Sequence, residues 1–197
     1  MSTLSRRAVG ALAGAVVALA LTVPAASQAA AIPSPATSPT WTLKTSWVNY
    51  LTNPLLSLGA GKVTPTGSPA PVGTGATAPN APNPHYAYVW SVASDATASG
   101  NRTVTLNGGL RFEQPWHGID IKLTNVRVVQ SAAARELRVT ASYKQVGGST
   151  VSKPDIALGT VDETTNAVSL TGDGAAVFNG GSNGSYAAGQ EFGSVAF

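Results

Sequence analysis

From Tyr86 onward, apolar and polar residues alternate in short runs, which is the pattern of strands with one buried face and one exposed face. The two clearest runs place apolar side chains at every second position: Tyr86, Tyr88, Trp90 and Val92, then Ile119, Ile121 and Leu123. Shorter runs lie at 102–106, 126–129, 136–143, 150–158, 168–170 and 175–178, and a Gly-Gly pair at 147–148 suits a hairpin turn. The pattern predicts a mainly β chain that forms a single sandwich or barrel-like domain.

One segment has helical spacing instead. In Thr45–Leu51, Ser46 and Tyr50 lie four residues apart, so they would share one face of a helix. The Thr and Ser at its start are both suited to cap a helix N-terminus, and Pro54 limits the helix soon after its end. A weaker helical signal lies at 131–136. We therefore expect one or two short helices beside the strands.

The first part of the chain, residues 1–31, has the pattern of a secretory signal peptide. A pair of arginines precedes an apolar run at 8–21, and small residues then provide cleavage sites after Ala29 or Ala31. The arginine pair leaves both the general and the twin-arginine export routes open. The apolar run is shorter than the roughly 20 residues that a membrane span needs. We therefore expect a secreted, extracellular product with no membrane span once the signal is removed.

Two stretches of the exported chain are rich in proline and small residues. Residues 32–40 are predicted to be a disordered lead-in. Residues 62–84 are predicted to be a Pro/Gly-rich surface loop, inserted into the domain without packed structure of its own. The predicted domain therefore spans 41–197, which is a suitable length for one domain, and the loop interrupts it.

Removal of the signal peptide changes the charge balance. The full chain of 197 residues has 12 Lys and Arg against 9 Asp and Glu, but the two signal arginines leave with the peptide. The exported chain is then close to neutral, so its charge gives no indication of nucleic-acid binding. The chain contains no cysteine, which excludes disulfides, thiolate metal sites, cysteine nucleophiles and a lipid anchor on cysteine.

The sequence lacks the usual signs of an enzyme active site. No Gly-x-Ser-x-Gly motif occurs, and the two histidines are His85, at a loop exit, and His117, beside a glycine. Strand geometry would turn Asp120 away from His117. None of the nine acids forms a pair in a context diagnostic of glycoside hydrolysis. We expect a protein that is not an enzyme.

The tryptophans leave a second class of function open. Trp47, Trp90 and Trp116 would form a sugar-stacking face if the protein were a secreted β-sandwich module for carbohydrate binding or adhesion. An extracellular hydrolase is a third and weaker alternative.

Three motifs follow one another along the exported chain. They are Trp41-x-x-Lys44-x-Ser46-Trp47-x-x-Tyr50, then Phe112-Glu113-x-x-Trp116-His117-Gly118-x-Asp120-x-x-Leu123-x-Asn125, and finally Tyr186-Ala187-Ala188-Gly189-Gln190-Glu191-Phe192. In this order the motifs resemble those of the HtaA-type haem-binding domain, which belongs to exported actinobacterial haem-uptake proteins. The resemblance covers the chain from Trp41 to its end, apart from the loop at 62–84. Pro115-Trp116 departs from the family pattern, which usually has a glycine before the histidine.

The resemblance implies a β scaffold that binds ferric haem (ferric protoporphyrin IX). By position, it makes Tyr50 the axial ligand of the iron, His117 the hydrogen-bond partner of the phenolic oxygen, and Ser46 a residue of the same pocket. It also implies a haemophore or haem relay, which would exchange haem with donor proteins or with a cell-surface uptake receptor.

The chemistry of a phenolic ligand is consistent with this role. A free tyrosine has a pKa of about 10, so the neutral phenol is a poor ligand at neutral pH. Ferric iron and a nearby imidazole would both stabilise the phenolate. Phenolate favours ferric iron, which suits capture and hand-over of ferric haem rather than oxygen storage. We expect Trp47 and Trp116 either to cover the porphyrin or to pack in the core, Tyr186 to line the pocket mouth, and His85 to lie at the surface.

Overall fold

The computed structural model describes residues 32–57, 61–72, 86–145, 147–180 and 186–197. Within these ranges the strands are β1 (Thr40–Leu43), β2 (Lys62–Thr66), β3 (Ala70–Val72), β4 (Ala87–Val89), β5 (Val92–Ala98), β6 (Asn101–Leu106), β7 (Gly109–Gln114), β8 (Ile119–Gln130), β9 (Arg135–Lys144), β10 (Thr150–Val161), β11 (Ala167–Leu170) and β12 (Glu191–Ala196). The helices are α1 (Thr45–Thr52), α2 (Pro54–Ser57) and α3 (Gly172–Asn179), and a 3₁₀ turn covers Pro115–His117.

All these strands belong to one sheet that curls into a nearly closed barrel. Its main path runs β2-β7-β8-β9-β10-β11-β12-β1-β4-β3, and its pairings are antiparallel. The long strand β8 pairs with β9 on one edge, while its other edge pairs with β7 along the first half and β6 along the second. The structure has 55% strand and 15% helix, which confirms the predicted mainly β, barrel-like fold with short helices.

The barrel interior is filled by the apolar residues that recur at every second position. In β9, for example, Leu137 and Val139 are buried while the residues between them are partly exposed. This is the alternation from which the strands were predicted.

The helix predicted at 131–136 is wrong. Ser131 closes a tight turn with its backbone and side chain, and β9 begins at Arg135.

Helix α3 lies where the sequence predicted a strand at 175–178. Thr171 stands directly before the helix, and its Oγ1 accepts a hydrogen bond from the Gly174 N–H at 3.0 Å. This bond satisfies one of the first-turn donors that a helix leaves unpaired. The helix then buries Phe178 in the core, so an apolar run that looked like a strand is a helix because of the cap before it.

The lead-in at 32–40 packs on the barrel, so the prediction that it is disordered is wrong. Ile32 is only 5% exposed, and Arg102 donates hydrogen bonds to its carbonyl at 2.7 Å and to the next carbonyl at 2.5 Å. The Ala36 N–H donates to the Asp95 carboxylate at 2.8 Å. These partners lie 59 to 70 residues further along the chain, so the composition of the segment could not reveal them.

Part of the predicted loop at 62–84 also belongs to the sheet. Strand β2 pairs with β7 along its whole length, and β3 pairs with β4. The prediction of a loop without packed structure is therefore wrong for 62–66 and 70–72. Pro65 is compatible with β2 because this strand lies at the edge of the sheet, where a missing N–H is tolerated. Residues 73–84 lie outside the described residues.

The signal peptide predicted at 1–31 and the surface position predicted for His85 also fall outside the described residues. Across the ranges that the structure covers, no helix combines the length and the apolar character that a membrane crossing requires.

Candidate functional site

Helix α1 divides its side chains between a buried and an open face. Trp47, Val48 and Leu51 are buried, whereas Ser46 is exposed and Tyr50 is half-buried. The helix predicted from the sequence is therefore present, and its spacing leaves Ser46 and Tyr50 one turn apart on the side that is not packed into the core.

The start of α1 is set by Lys44. This residue precedes the helix, and no side chain caps the helix there, so the predicted capping by Thr45 or Ser46 is wrong. The Lys44 Nζ donates a hydrogen bond to the Glu191 carbonyl at 3.0 Å, which ties the beginning of the helix to β12.

The end of α1 leads directly into α2. Asn53 is extended, as expected before a proline, and its Oδ1 accepts a hydrogen bond from the Leu55 N–H at 2.9 Å. The Leu55 side chain is 81% exposed, so α2 presents a large apolar group beside the end of α1.

A side-chain contact in the middle of α1 holds the helix against the segment before β4. The Asn49 Oδ1 accepts a hydrogen bond of 2.6 Å from the Tyr86 hydroxyl.

The 3₁₀ turn between β7 and β8 carries His117. The buried side chain of Gln114 accepts a hydrogen bond from the His117 N–H at 2.7 Å through Oε1. Pro115 begins the turn, where its fixed φ is suited to a helical start. Gly118 follows with a φ of +67°, a left-handed conformation that glycine adopts without steric cost. These residues fix the backbone of His117, and α2 packs beside the turn.

Tyr50 and His117 meet in the folded chain. Their ring centroids are 5.2 Å apart and their planes are inclined at 60°, which is an edge-to-face contact. The structure thus brings together two of the three site residues predicted from the sequence. Ser46 lies one turn earlier on the same helix and faces solvent.

A cluster of buried aromatic rings supports Tyr50 from behind. The Trp47 ring lies 6.2 Å from that of Tyr50, and its other aromatic neighbours are Phe112, Phe178, Tyr186 and Phe192. Trp47 is only 1% exposed. Of the two roles expected for this residue, the structure supports packing in the core.

The two tyrosines of this region are stabilised as neutral phenols. Burial raises the pKa of Tyr50 above its ordinary value. Burial also raises the pKa of Tyr186, and the negative charge of an ionised Tyr50 raises it further. A neutral phenol is a poor metal ligand, so either tyrosine would bind a metal centre well only after loss of its proton.

The structure does not bring together the residues that a sugar-binding face or a hydrolase site would need. Trp47 and Trp90 are each 1% exposed, so they cannot form a sugar-stacking face with Trp116. Trp116 is 68% exposed and shares the 3₁₀ turn with His117. Asp120 accepts two hydrogen bonds from the Arg111 guanidinium. In the described part of the chain, no group of three or more His, Cys, Asp or Glu residues could hold a metal ion.

Sequence reasoning missed two residues that shape the site. Gln114 continues the alternation of Leu110 and Phe112, so a polar residue at an inward position just before a proline was the signal that could have revealed it. Leu55 lies in a helix of four residues, which is too short to produce a periodic pattern.

Comparison with known proteins agrees with the fold. The HtaA family model, described as Htaa, matches residues 36–197. Two solved structures are domains of HtaA from Corynebacterium glutamicum. The C-terminal domain is 17% identical, with 81% of this chain and 93% of that chain covered and a TM-score of 0.57. The N-terminal domain is 19% identical, with 80% and 92% covered and a TM-score of 0.55.

A third structure, the haem-binding protein HtaB from the same organism, is 16% identical, with 80% of this chain and 89% of that chain covered and a TM-score of 0.60. A search of curated proteins gave no match. Identities this low establish a common fold, whereas the family model extends over most of the sequence. The chain therefore belongs to the HtaA family.

Proposed function

We propose that this protein is a secreted haem-binding protein, a haemophore or haem relay, that holds ferric haem through an axial Tyr50 and performs no catalysis. The observation that carries the proposal is the contact between Tyr50 and His117, whose ring centroids lie 5.2 Å apart. HtaB, a structural relative of this chain, is described as a haem-binding protein, which supports the same ligand here.

The residues around the pair fit a porphyrin. A haem needs one ligand for its iron and an apolar surface for its ring. Tyr50 is half-buried against the aromatic cluster, and two large apolar side chains, Leu55 and Trp116, are exposed on the segments next to it. We include Ser46 in the site because it lies exposed one turn before Tyr50.

Each residue has a separate role in this proposal. A ferric haem held here would supply a Lewis acid that stabilises the phenolate form of Tyr50. Tyr50 gives up its proton and supplies the phenolic oxygen. His117 accepts or shares that proton and then hydrogen-bonds the oxygen, with its backbone held by Gln114. Because Asp120 is bound to Arg111, it is not available to orient His117 as a general base, which supports binding rather than catalysis.

A hemin titration of the mature protein tests the assignment of Tyr50. We expect a saturable Soret band with the charge-transfer features of a phenolate-bound ferric haem. Tyr50→Phe should remove those features and weaken binding at least about tenfold, which corresponds to about 1.4 kcal/mol. The matched control is Tyr143→Phe, because Tyr143 is a core residue of β9. An unchanged spectrum in Tyr50→Phe would mean that another residue is the ligand.

The variant His117→Ala tests the proposed role of His117 as the hydrogen-bond partner of the ligand oxygen. Binding should persist, because Tyr50 remains, but the charge-transfer bands should shift and haem should be lost faster. Size-exclusion chromatography of the variant checks that its oligomeric state is unchanged. If wild type shows no saturable hemin binding at all, the proposed function is wrong.

A further inference from the structure

The outer face of β7, β8 and β9 carries a polar groove of about 370 Å³. Its charged lining residues are Arg111, Asp120, Lys122 and Lys144, and the remainder of the lining is Ser and Thr. The residues that alternate with these along the strands, such as Ile121, are buried in the barrel. The groove therefore lies on the solvent side of the sheet, away from the core.

This groove is more positive than the chain as a whole. Three cations line it against one carboxylate, which gives a net charge of +2, whereas the chain without its signal peptide has nearly balanced charges. Lys62 and Glu113 lie at the same end of the sheet and pair with each other at 3.5 Å. Because their charges are opposite, counting both leaves the excess positive charge of the groove unchanged.

Both lysines of the groove lack an ion-pair partner among the described residues. The ion pairs in the described ranges engage the cations Lys62, Arg102, Arg111, Arg127, Arg138 and Lys153. Within the same ranges the side chains of Lys122 and Lys144 make neither an ion pair nor a hydrogen bond. Hydrogen bonding from Arg111 holds the pKa of Asp120 below its ordinary value, and the charge of Lys144 contributes to the same shift from a longer distance.

The register of the strands makes this arrangement unfavourable in the free protein. Lys122 lies directly opposite Arg111 across the pairing of β7 with β8, and like charges in that position repel one another. The bidentate pairing of Arg111 with Asp120 and its ion pair with Glu113 at 3.3 Å relieve part of this repulsion, but they engage only Arg111 among the groove cations. A negatively charged ligand would neutralise the excess positive charge of the groove.

The groove adjoins the proposed haem site. A second hollow of about 280 Å³ shares Arg111, Asp120 and Lys144 with it and extends to Pro115 and Gly118. Pro115 is the first residue of the 3₁₀ turn that carries His117, and Gly118 follows the turn. A molecule bound in the groove would therefore lie beside the turn that carries the proposed partner of the haem ligand.

We propose that this groove docks an acidic segment of a partner protein with which the chain exchanges haem; the identity of the exchanged ligand rests on the proposed function. Arg111, Lys122 and Lys144 stand on three neighbouring strands, and Lys144 lies two residues along β9 from the position opposite Lys122. The Cα atoms of Arg111 and Lys144 are therefore about 12 Å apart at the usual strand spacing and rise. That spread suits several carboxylates along a peptide better than one compact anion such as phosphate. Charge complementarity of this kind raises the rate of encounter and fixes the orientation of docking.

Fluorescently labelled poly-L-glutamate is a suitable probe, because it carries carboxylates along an extended chain. Its binding to the haem-free protein is measured by fluorescence anisotropy at low ionic strength. We expect saturable binding that weakens as salt is added. Lys122→Gln combined with Lys144→Gln should weaken it about tenfold, and hemin binding by this double variant should be unchanged because neither lysine belongs to the haem site.

The control is Lys153→Glu, which changes the net charge by the same amount on β10, next to α3. Equal losses in the control and the double variant would show that only net charge matters, and would overturn the proposal. Binding of inorganic phosphate without binding of poly-L-glutamate would overturn it as well, in favour of a small-anion site. The hemin titration is read separately, so failure of the proposed function and failure of the groove give different results.

Discussion

Trp116 directly precedes His117 at the proposed site, and its side chain is 68% exposed. Exposure of a large apolar side chain is not favoured in itself. The proposed function gives it a role, because an indole next to His117 can cover a bound porphyrin ring.

Trp116→Ala should therefore speed haem loss without destabilising the fold. Covering even about 60 Å² of apolar surface contributes about 1.5 kcal/mol, which corresponds to a haem release roughly tenfold faster. Transfer of haem to an excess of apomyoglobin, followed at the Soret band, measures the rate. Urea unfolding of the haem-free variant should match wild type, because the side chain is exposed. Equal release rates would show that Trp116 does not touch the haem.

For single residues, the sequence indicates those that belong to motifs, but not those whose role depends on contacts with distant parts of the chain. Tyr50 and His117 could be paired because each belongs to a recognisable motif, although neither alone indicates the other. The Lys44 Nζ, by contrast, donates a hydrogen bond to a backbone carbonyl of β12. Such a bond depends on a strand far along the chain, and no local pattern encodes it.

The 3₁₀ turn is the element on which the geometry of the site depends most. The buried side-chain amide of Gln114 accepts a hydrogen bond from the His117 N–H. Helix α2, which carries the exposed Leu55, packs beside the turn. A turn of three residues has little stability of its own. Its conformation is therefore maintained by its neighbours, and a change at Gln114 should reach His117 without touching the ligand.

Gln114→Ala should lower the free energy of unfolding by about 1–3 kcal/mol, because it leaves a partly buried N–H without its acceptor. With hemin bound, its charge-transfer bands should shift in the same direction as those of His117→Ala. Urea unfolding and visible spectra measure the two effects. Gln145→Ala, the same substitution at an exposed position, should leave both unchanged. A stable Gln114→Ala protein with the wild-type spectrum would contradict the positioning role.

Elements with a clear period were predicted well, and elements stabilised by distant partners were not. Strand β9 follows from its alternation alone, whereas β8 joins two predicted runs, 119–123 and 126–129, across an irregularity after Thr124. The proline and threonines of β2 resemble a linker, yet pairing with β7 gives its backbone a partner. The contiguous apolar residues of α3 resemble a buried strand, and the local contact that favours a helix is the cap from Thr171.

At the scale of the whole molecule, the lead-in at 32–40 packs on the barrel through contacts with β5 and β6. Asp95 and Arg102, which pair at 2.6 Å between β5 and β6, together bind the backbone of Ile32 and Ala36. Both predicted cleavage sites would leave Ile32 in the mature chain, so processing at either site would preserve this contact. The segment thus contributes to the stability of the barrel, at a distance from the proposed haem site.

This contact should make the stability depend on pH in the acid range. Hydrogen bonds from Arg102, and then from Ala36, lower the pKa of Asp95 from 3.8 to about 2. Because the folded-state pKa lies below the unfolded one, the stabilisation is complete above about pH 4 and is lost as the pH falls to about 2. Asp95→Asn should cost about 2 kcal/mol at pH 7, and its difference from wild type in urea unfolding should shrink steadily between pH 4 and 2. Asp173→Asn, which removes one carboxylate of an exposed ion pair, should cost much less at pH 7. If the difference between wild type and Asp95→Asn stays constant across that range, the carboxylate does not hold the lead-in by its charge.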